Sequence, residues 1–184
     1  MFSKAMGSPF EVSGAARLPK GSYNAEHGTV LLRLDGFEES VKYRTAALRD
    51  YLQKNGMGVD EIITDQAENS QLWKTIRDVS PFAGTDHDIW RLSIKPTDIQ
   101  LLGQLTDLES VVLDWAGGLV WAAVVPGTDV RSKMDGISGH ATLVRAGTLS
   151  QPVFHPEAAP LAKLANDLRA QFDPKSILNP GLMG

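Results

Sequence analysis

Two strands' worth of side chains have the types and spacing to do chemistry. Residues 89–95 alternate strictly, so Trp90, Leu92 and Ile94 share one side of a strand, and Arg91, Ser93 and Lys95 share the other. Residues 140–146 form a second such run, with His140, Thr142 and Val144 on one side. His140 is a candidate general base for a hydroxyl proton, because imidazole titrates near neutral pH. The plainer alternative for it is a partly buried histidine bonded to backbone. Arg91 and Lys95 read equally as a binding face or as solvated side chains of a half-buried sheet.

Other chemistries find little support. His27, His87, His140 and His155 make no HxH, HxxxH or HExxH spacing, so no metal site is expected from this chain. There is no cysteine, which excludes disulfides, thiolate metal sites and cysteine nucleophiles. Gly117-Gly118 is a turn pair rather than a phosphate-cradling fingerprint, and neither a P-loop lysine nor a GxSxG elbow occurs. Asp114 is out of place in a strand; it reads as the partner of a turn backbone. Trp73, Trp90, Trp115 and Trp121 read as core, or alternatively as walls of a cavity.

The elements that would position these groups follow from periodicity. Strands are predicted over residues 12–18, 29–34, 59–64, 89–95, 110–115, 119–125 and 140–146, with a hairpin turn at 116–118. A helix over 37–54 buries Phe37, Val41, Leu48 and Leu52 and stops at Asn55-Gly56. A second starts at Asp65 or Asn69 and runs to Val79, burying Leu72, Trp73, Ile76 and Val79. Short helices are expected over 97–105, begun by a Thr97–Gln100 capping box, and over 130–134. A loop covers 147–156. A last helix over 157–172 buries Leu161, Leu164, Ala165, Leu168 and Phe172 before Pro174 ends it. From residue 89 the order is βαββαβ. The expectation is therefore an α+β fold, a ferredoxin-like antiparallel sheet extended by an N-terminal βαβ, with helices on one face.

Composition bounds the rest. With 184 residues, 42% hydrophobic and 22% charged, the chain suits one ordinary globular domain. The net charge of −4 comes without a basic stripe, so no nucleic-acid partner is expected. No apolar run approaches the roughly 20 residues of a membrane span. A cytoplasmic location is the expectation.

A resemblance adds to this reading. Residues 172–181 read FDPKSILNPG, which resembles the FDPxGxLNPG closing motif of FAD-linked oxidases of the vanillyl-alcohol-oxidase type. Residues 7–15 (GSPFEVSGA), 89–93 (IWRLS), 114–121 (DWAGGLVW) and 138–142 (SGHAT) are similar, in order, to the E subunit of glycolate oxidase. Ser138 and Ser176 stand where the motifs have glycine, and Leu182 where a basic residue is usual. The HxGDGN metal motif of related oxidases is absent, against a metal-assisted site.

The resemblance implies the cap domain of a FAD-dependent oxidase that takes glycolate to glyoxylate. It implies residues 1–22 as a junction from a missing FAD-binding domain, and residues 23–184 as the cap. FAD belongs to the intact protein, and none is expected on this part alone. Arg91 would meet the substrate carboxylate, since guanidinium pairs with it bidentately. His140 would take the hydroxyl proton, and Asn179 would approach the flavin. The implied partners are the FAD-binding domain, the flavoprotein D and iron–sulfur F subunits of glycolate oxidase, and a small 2-hydroxy acid. The complex would be cytoplasmic or peripheral to the inner membrane. Two rivals remain: an assembly or electron-transfer subunit without catalysis, and a stand-alone ferredoxin-like binding module.

Overall fold

Six alternating or β-branched runs pair into one sheet in the computed structural model, which describes residues 1–24, 27–105, 107–147 and 151–180. The strands are β1 (Gly14–Leu18), β2 (Thr29–Arg33), β3 (Asp88–Ile94), β4 (Leu108–Asp114), β5 (Leu119–Val124) and β6 (Gly139–Arg145). The helices are α1 (Phe2–Met6), α2 (Glu38–Lys54), α3 (Gln66–Arg77) and α4 (Ala159–Phe172). The sheet order is β2-β1-β4-β5-β3-β6, and all neighbours are antiparallel. Across the last four strands of the chain the order is fourth, first, third, second, which is the ferredoxin-like arrangement. β1 and β2 extend it beyond β4. The α+β reading therefore holds. β1 lies within the segment assigned to a junction, yet it is an internal strand of the sheet. Part of the predicted loop at 147–156 and the end of the tail, with Gly181 and Leu182, lie outside the described residues.

The expected short helices over 97–105 and 130–134 are 3-10 turns, at Pro96–Gln104 and Arg131–Lys133. The capping box does not form. The Thr97 hydroxyl donates to Asp98, whose other carboxylate oxygen accepts from the Ser138 N–H at 3.0 Å. Asp98 thus ties the turn to the start of β6 instead of capping a helix. Residues 59–64, predicted as a strand, pair with nothing in the sheet. Asp60 and Glu61 disfavour a pleated surface, and only Ile63 of this run tucks against the core while Ile62 is exposed.

Both faces of the sheet carry a core. On one, Trp90, Leu92, Ile94, Val120 and Ala122 pack under Leu102, Val130 and Met134 of the 3-10 connections. On the other, Ala16, Leu18, Ile89, Val112 and Ala123 pack against Leu72 and Ile76 of α3 and against Phe82. Full burial of each large apolar side chain contributes about 1.5–3 kcal/mol. α3 is placed by its cap: the Asp65 carboxylate accepts from the Glu68 N–H at 2.8 Å. The second face, expected to lie open, is thus covered over the half nearest Ile89.

Two buried polar residues fix the chain around these cores. Asp88 accepts from the Gly127 N–H at 2.7 Å and the Gly147 N–H at 3.2 Å, holding the loops after β5 and β6 together. Arg44 of α2 donates to the carbonyls of Phe10, Glu11 and Asp35, and so binds the N-terminal segment to the helix. Phe37, by contrast, is 90% exposed rather than buried, because it stands at the N-cap, ahead of the face that buries Leu48 and Leu52.

α4 departs furthest from expectation. Leu161, Leu164, Leu168 and Phe172 are 55–80% exposed, and none of the helix's residues is buried. The cause is the segment before it. Residues 153–155 run along the outer edge of β6, where the Leu143 N–H donates to the Val153 carbonyl at 2.9 Å. The chain therefore leaves past the sheet edge instead of crossing a face, and carries its apolar stripe with it.

Candidate functional site

The register of β3 decides which candidates meet. Directly opposed residues in a sheet point to the same face. Arg91 lies between Trp121 of β5 and Thr142 of β6, and Ser93 lies between Leu119 and His140. Arg91 and His140 therefore share the second face, on adjacent strands and one diagonal apart, on the half that α3 leaves uncovered. Lys95 is exposed just beyond the strand.

Arg91 is half-buried, and its guanidinium sits 5.5 Å from the centroid of the Trp115 ring. Among the described residues it makes no hydrogen bond and no ion pair, so its N–H fork is unclaimed. His140 is exposed, and no hydrogen bond among the described residues holds its ring. The backbone-bonded histidine considered as its plain alternative is found instead at His155, whose Nδ1 accepts from the Ala141 N–H at 3.3 Å. Asn179 lies apart from both. It is exposed in the tail after α4, and no hydrogen bond among the described residues joins it to Arg91 or His140.

The tail motif has a physical basis. Asp173, buried although charged, accepts from the N–H groups of Ile177 at 3.0 Å and Leu178 at 2.8 Å, which folds the chain back after the helix. Ser176 and Asn179 both take positive φ, at 49° and 47°. Asn tolerates that region; Ser stands in it where the oxidase motif has Gly, the residue with no steric penalty there.

Sequence reasoning missed the role of Trp115. It is not core: it is 59% exposed, with φ at 51°, followed by Ala116 at 54° and Gly117 at 98°. Non-glycine residues in that region cost on the order of 1–3 kcal/mol each. The Asp114 carboxylate, in the turn-partner role expected of it, accepts from the Trp115 N–H at 2.7 Å. The only signal for this in the sequence was Asp114 itself. Arg131 was also missed. It donates to the carbonyls of Ala141, Pro152 and Val153 while stacked 4.7 Å from the Trp90 ring centroid. Its partners lie too far along the chain for any local pattern to reveal them.

On the same face, beyond Trp121, a mostly apolar groove of about 410 Å³ runs between Ile89, Val144, Val79 and Phe82. Arg145 borders it, but its guanidinium is engaged by the carbonyls of Phe82 and Thr85. Among the described residues no group of three or more His, Cys, Asp or Glu side chains is placed to hold a metal ion, and no helix is long and apolar enough to cross a membrane. None of the described turns forms a Gly-rich cradle at a helix N-terminus, so the residues here do not fit the pyrophosphate of a dinucleotide.

The strap at residues 153–155 is expected to respond to pH. Burial, and then the neighbouring Arg131 and His140, hold the His155 pKa below the usual imidazole value. The unfolded chain therefore takes up this proton first as pH falls, and stability present above about pH 6.5 is lost towards the lower folded pKa. Protonation would also turn the Nδ1 acceptor into a donor facing the Ala141 N–H. Amide exchange at Ala141 and Leu143, corrected for intrinsic rates, is expected to accelerate between about pH 7.5 and pH 5. His155→Gln is expected to flatten that dependence. Equal protection at both pH values would contradict it.

Fold and face define an α+β domain with a ferredoxin-like sheet that places together a half-buried arginine, unpaired among the described residues, and an exposed histidine. The chain is similar to glycolate oxidase subunit GlcE of Escherichia coli (strain K12), with 31% identity over 155 residues. The likeness carried by the sequence motifs is thus found in a curated relative. The match takes in 83% of this chain and 38% of that protein, consistent with a C-terminal part. The chain therefore spans well under half the length of the relative it matches. No family model matches the chain, and no solved structure matches it.

Proposed function

We propose that this chain is the substrate-side cap of a FAD-dependent oxidase of small 2-hydroxy acids, with glycolate as substrate and glyoxylate as product. The observation that carries the reading is Arg91: a half-buried guanidinium, free of any carboxylate among the described residues and backed by an aromatic ring. A monocarboxylate is the complement of such a fork. His140, exposed on the same face, takes the proton of the 2-hydroxyl group. When bound in the intact enzyme, the flavin accepts the two electrons released by that oxidation. This chain's share is to bind the carboxylate, orient the carbinol carbon and receive the proton.

The exposed stripe of α4 supports a cap that is covered in the assembled protein. Contiguous apolar surface of this kind marks an interface. A FAD-binding domain is the proposed neighbour, with residues 1–22 joining the two and Asn179 at the flavin's edge. The D and iron–sulfur F subunits complete the proposed complex, in the cytoplasm or against the inner membrane. The same stripe favours the second reading, an assembly or electron-transfer part without catalysis.

The test compares the 184 residues alone with a form fused behind a FAD-binding domain. The fused form is expected to be yellow and to reduce a dye acceptor with glycolate, while the short form is colourless and inert. A fused form that holds flavin but neither binds nor oxidises glycolate would overturn the catalytic reading and leave the assembly role.

A further inference from the structure

Among the described residues three arginines stack on tryptophans, and they are not alike. Arg33, 5.6 Å from the Trp73 ring centroid, is paired with Asp35 at 3.0 Å. Arg131, over Trp90, spends its N–H groups on three backbone carbonyls. Arg91, over Trp115, has no hydrogen bond or ion pair among the described residues. In the first two, the partner oxygens fix the guanidinium and the ring is an accessory. In the third the ring is the partner that the described residues show for the guanidinium.

The ring itself is held at unusual cost. A two-strand turn needs positive φ, and Gly or Asn supplies it without strain. Here the first turn position is a tryptophan, at φ 51° and largely exposed, so it gains little from burial. Several contacts hold it there. Its N–H is taken by Asp114 at 2.7 Å, and its carbonyl accepts from the Gly118 N–H at 3.1 Å. Gly117, at φ 98°, approaches Ile99 so closely that an added Cβ would lie 1.8 Å from its Cδ1. Strain held in place by several independent contacts, with an exposed aromatic at its apex, marks a functional position.

We propose that Trp115 is a positioning residue: its ring, presented from a left-handed turn, holds the Arg91 guanidinium with its N–H fork turned off the sheet towards a small carboxylate. The second half of this statement rests on the reading of Arg91 as the carboxylate-binding group; the first half does not.

The 184-residue protein tests both halves separately. The heteronuclear NOE of the Arg91 Nε–Hε group, assigned by its loss in Arg91→Ala, reports the order of the side chain without any ligand. It is expected to be high in the wild type, to fall to the value of a free surface arginine in Trp115→Ala, and to be largely restored in Trp115→Phe, which keeps an aromatic face. Glycolate titration followed on the same resonance is expected to weaken roughly five- to tenfold in Trp115→Ala and much less in Trp115→Phe. An unchanged NOE in Trp115→Ala, with the fold intact by its amide spectrum, overturns the positioning role. A lost NOE with no glycolate binding to either protein leaves Trp115 as the residue that positions Arg91 and sinks the carboxylate reading instead.

Discussion

Gly139→Ala is expected to destabilise the protein by about 3–5 kcal/mol and to lower Tm by roughly 10 °C or more. Gly139 opens β6 opposite Ile94, and it lies so close to β3 that an added Cβ would sit 2.0 Å from the Ser93 carbonyl oxygen and 3.0 Å from Ile94 Cα. Those atoms are backbone of the neighbouring strand, so they cannot swing aside as a flexible side chain would. The φ of 155° adds strain for any L side chain. Relief would require β6 to draw away from β3 at the end where Ser93 faces His140, so the candidate site would go with the stability. Gly127→Ala separates the two causes. Its φ is 85°, yet no atom lies within 4 Å of its added Cβ, so it is expected to cost only the backbone term of about 1–2 kcal/mol. Thermal unfolding followed by circular dichroism checks both, and equal Tm values for the two variants would rule out the close approach as the cause.

The same geometry accounts for a departure from the oxidase motif. Residues 138–142 read SGHAT, with Ser138 in a place where glycine is usual. Ser138 has no positive φ, and its N–H has a partner in Asp98, so a side chain there costs little. Gly139 has no such freedom. Ser176 is the opposite case, a serine left at positive φ in the tail.

How far the sequence disclosed the structure depends on the kind of order involved. The strands of the ferredoxin-like core could be read because each is a short alternating or continuous apolar run bounded by turn residues, and pleat direction is local. The shared face of Arg91 and His140 was implied by that alternation once the order of elements brought β3 and β6 together. What failed was whatever depends on a distant partner. Leu161, Leu164, Leu168 and Phe172 do form a helical stripe, but periodicity shows that a face is apolar, and says nothing of what covers it. Residues 97–105 contain a capping pattern, yet Asp98 was drawn to Ser138, 40 residues away. Trp115 read as core or as a cavity wall; its exposure and left-handed backbone belong to the turn that follows Asp114, which a strand pattern does not reveal.

Arg91→Ala, made in the flavin-loaded oxidase, is expected to lower kcat/KM for glycolate about 100-fold or more. A bidentate guanidinium–carboxylate pair comprises two charge-assisted hydrogen bonds, each contributing about 1.5–3 kcal/mol. Loss of one to two such bonds in a partly screened site corresponds to a factor of that size. The loss is expected mainly in KM, because the carboxylate of a 2-hydroxy acid is ionised before and after the reaction, so its pairing differs little between ground and transition states. Arg91→Lys keeps the charge but not the planar fork or the stacking on Trp115, and is expected to recover only part of the activity. The discriminating control is a 1,2-diol of similar size, which offers the hydroxyl without the carboxylate: whatever slow turnover it shows should be nearly the same in wild type and Arg91→Ala. An Arg91→Ala enzyme that loses both substrates equally would mean that the residue supports the fold of the face. One that loses neither would return Arg91 to ordinary surface. The half-burial of the side chain and the absence of any carboxylate partner among the described residues argue for the selective loss of glycolate turnover, since an arginine withdrawn partly from water without a counter-charge costs stability unless a ligand supplies one.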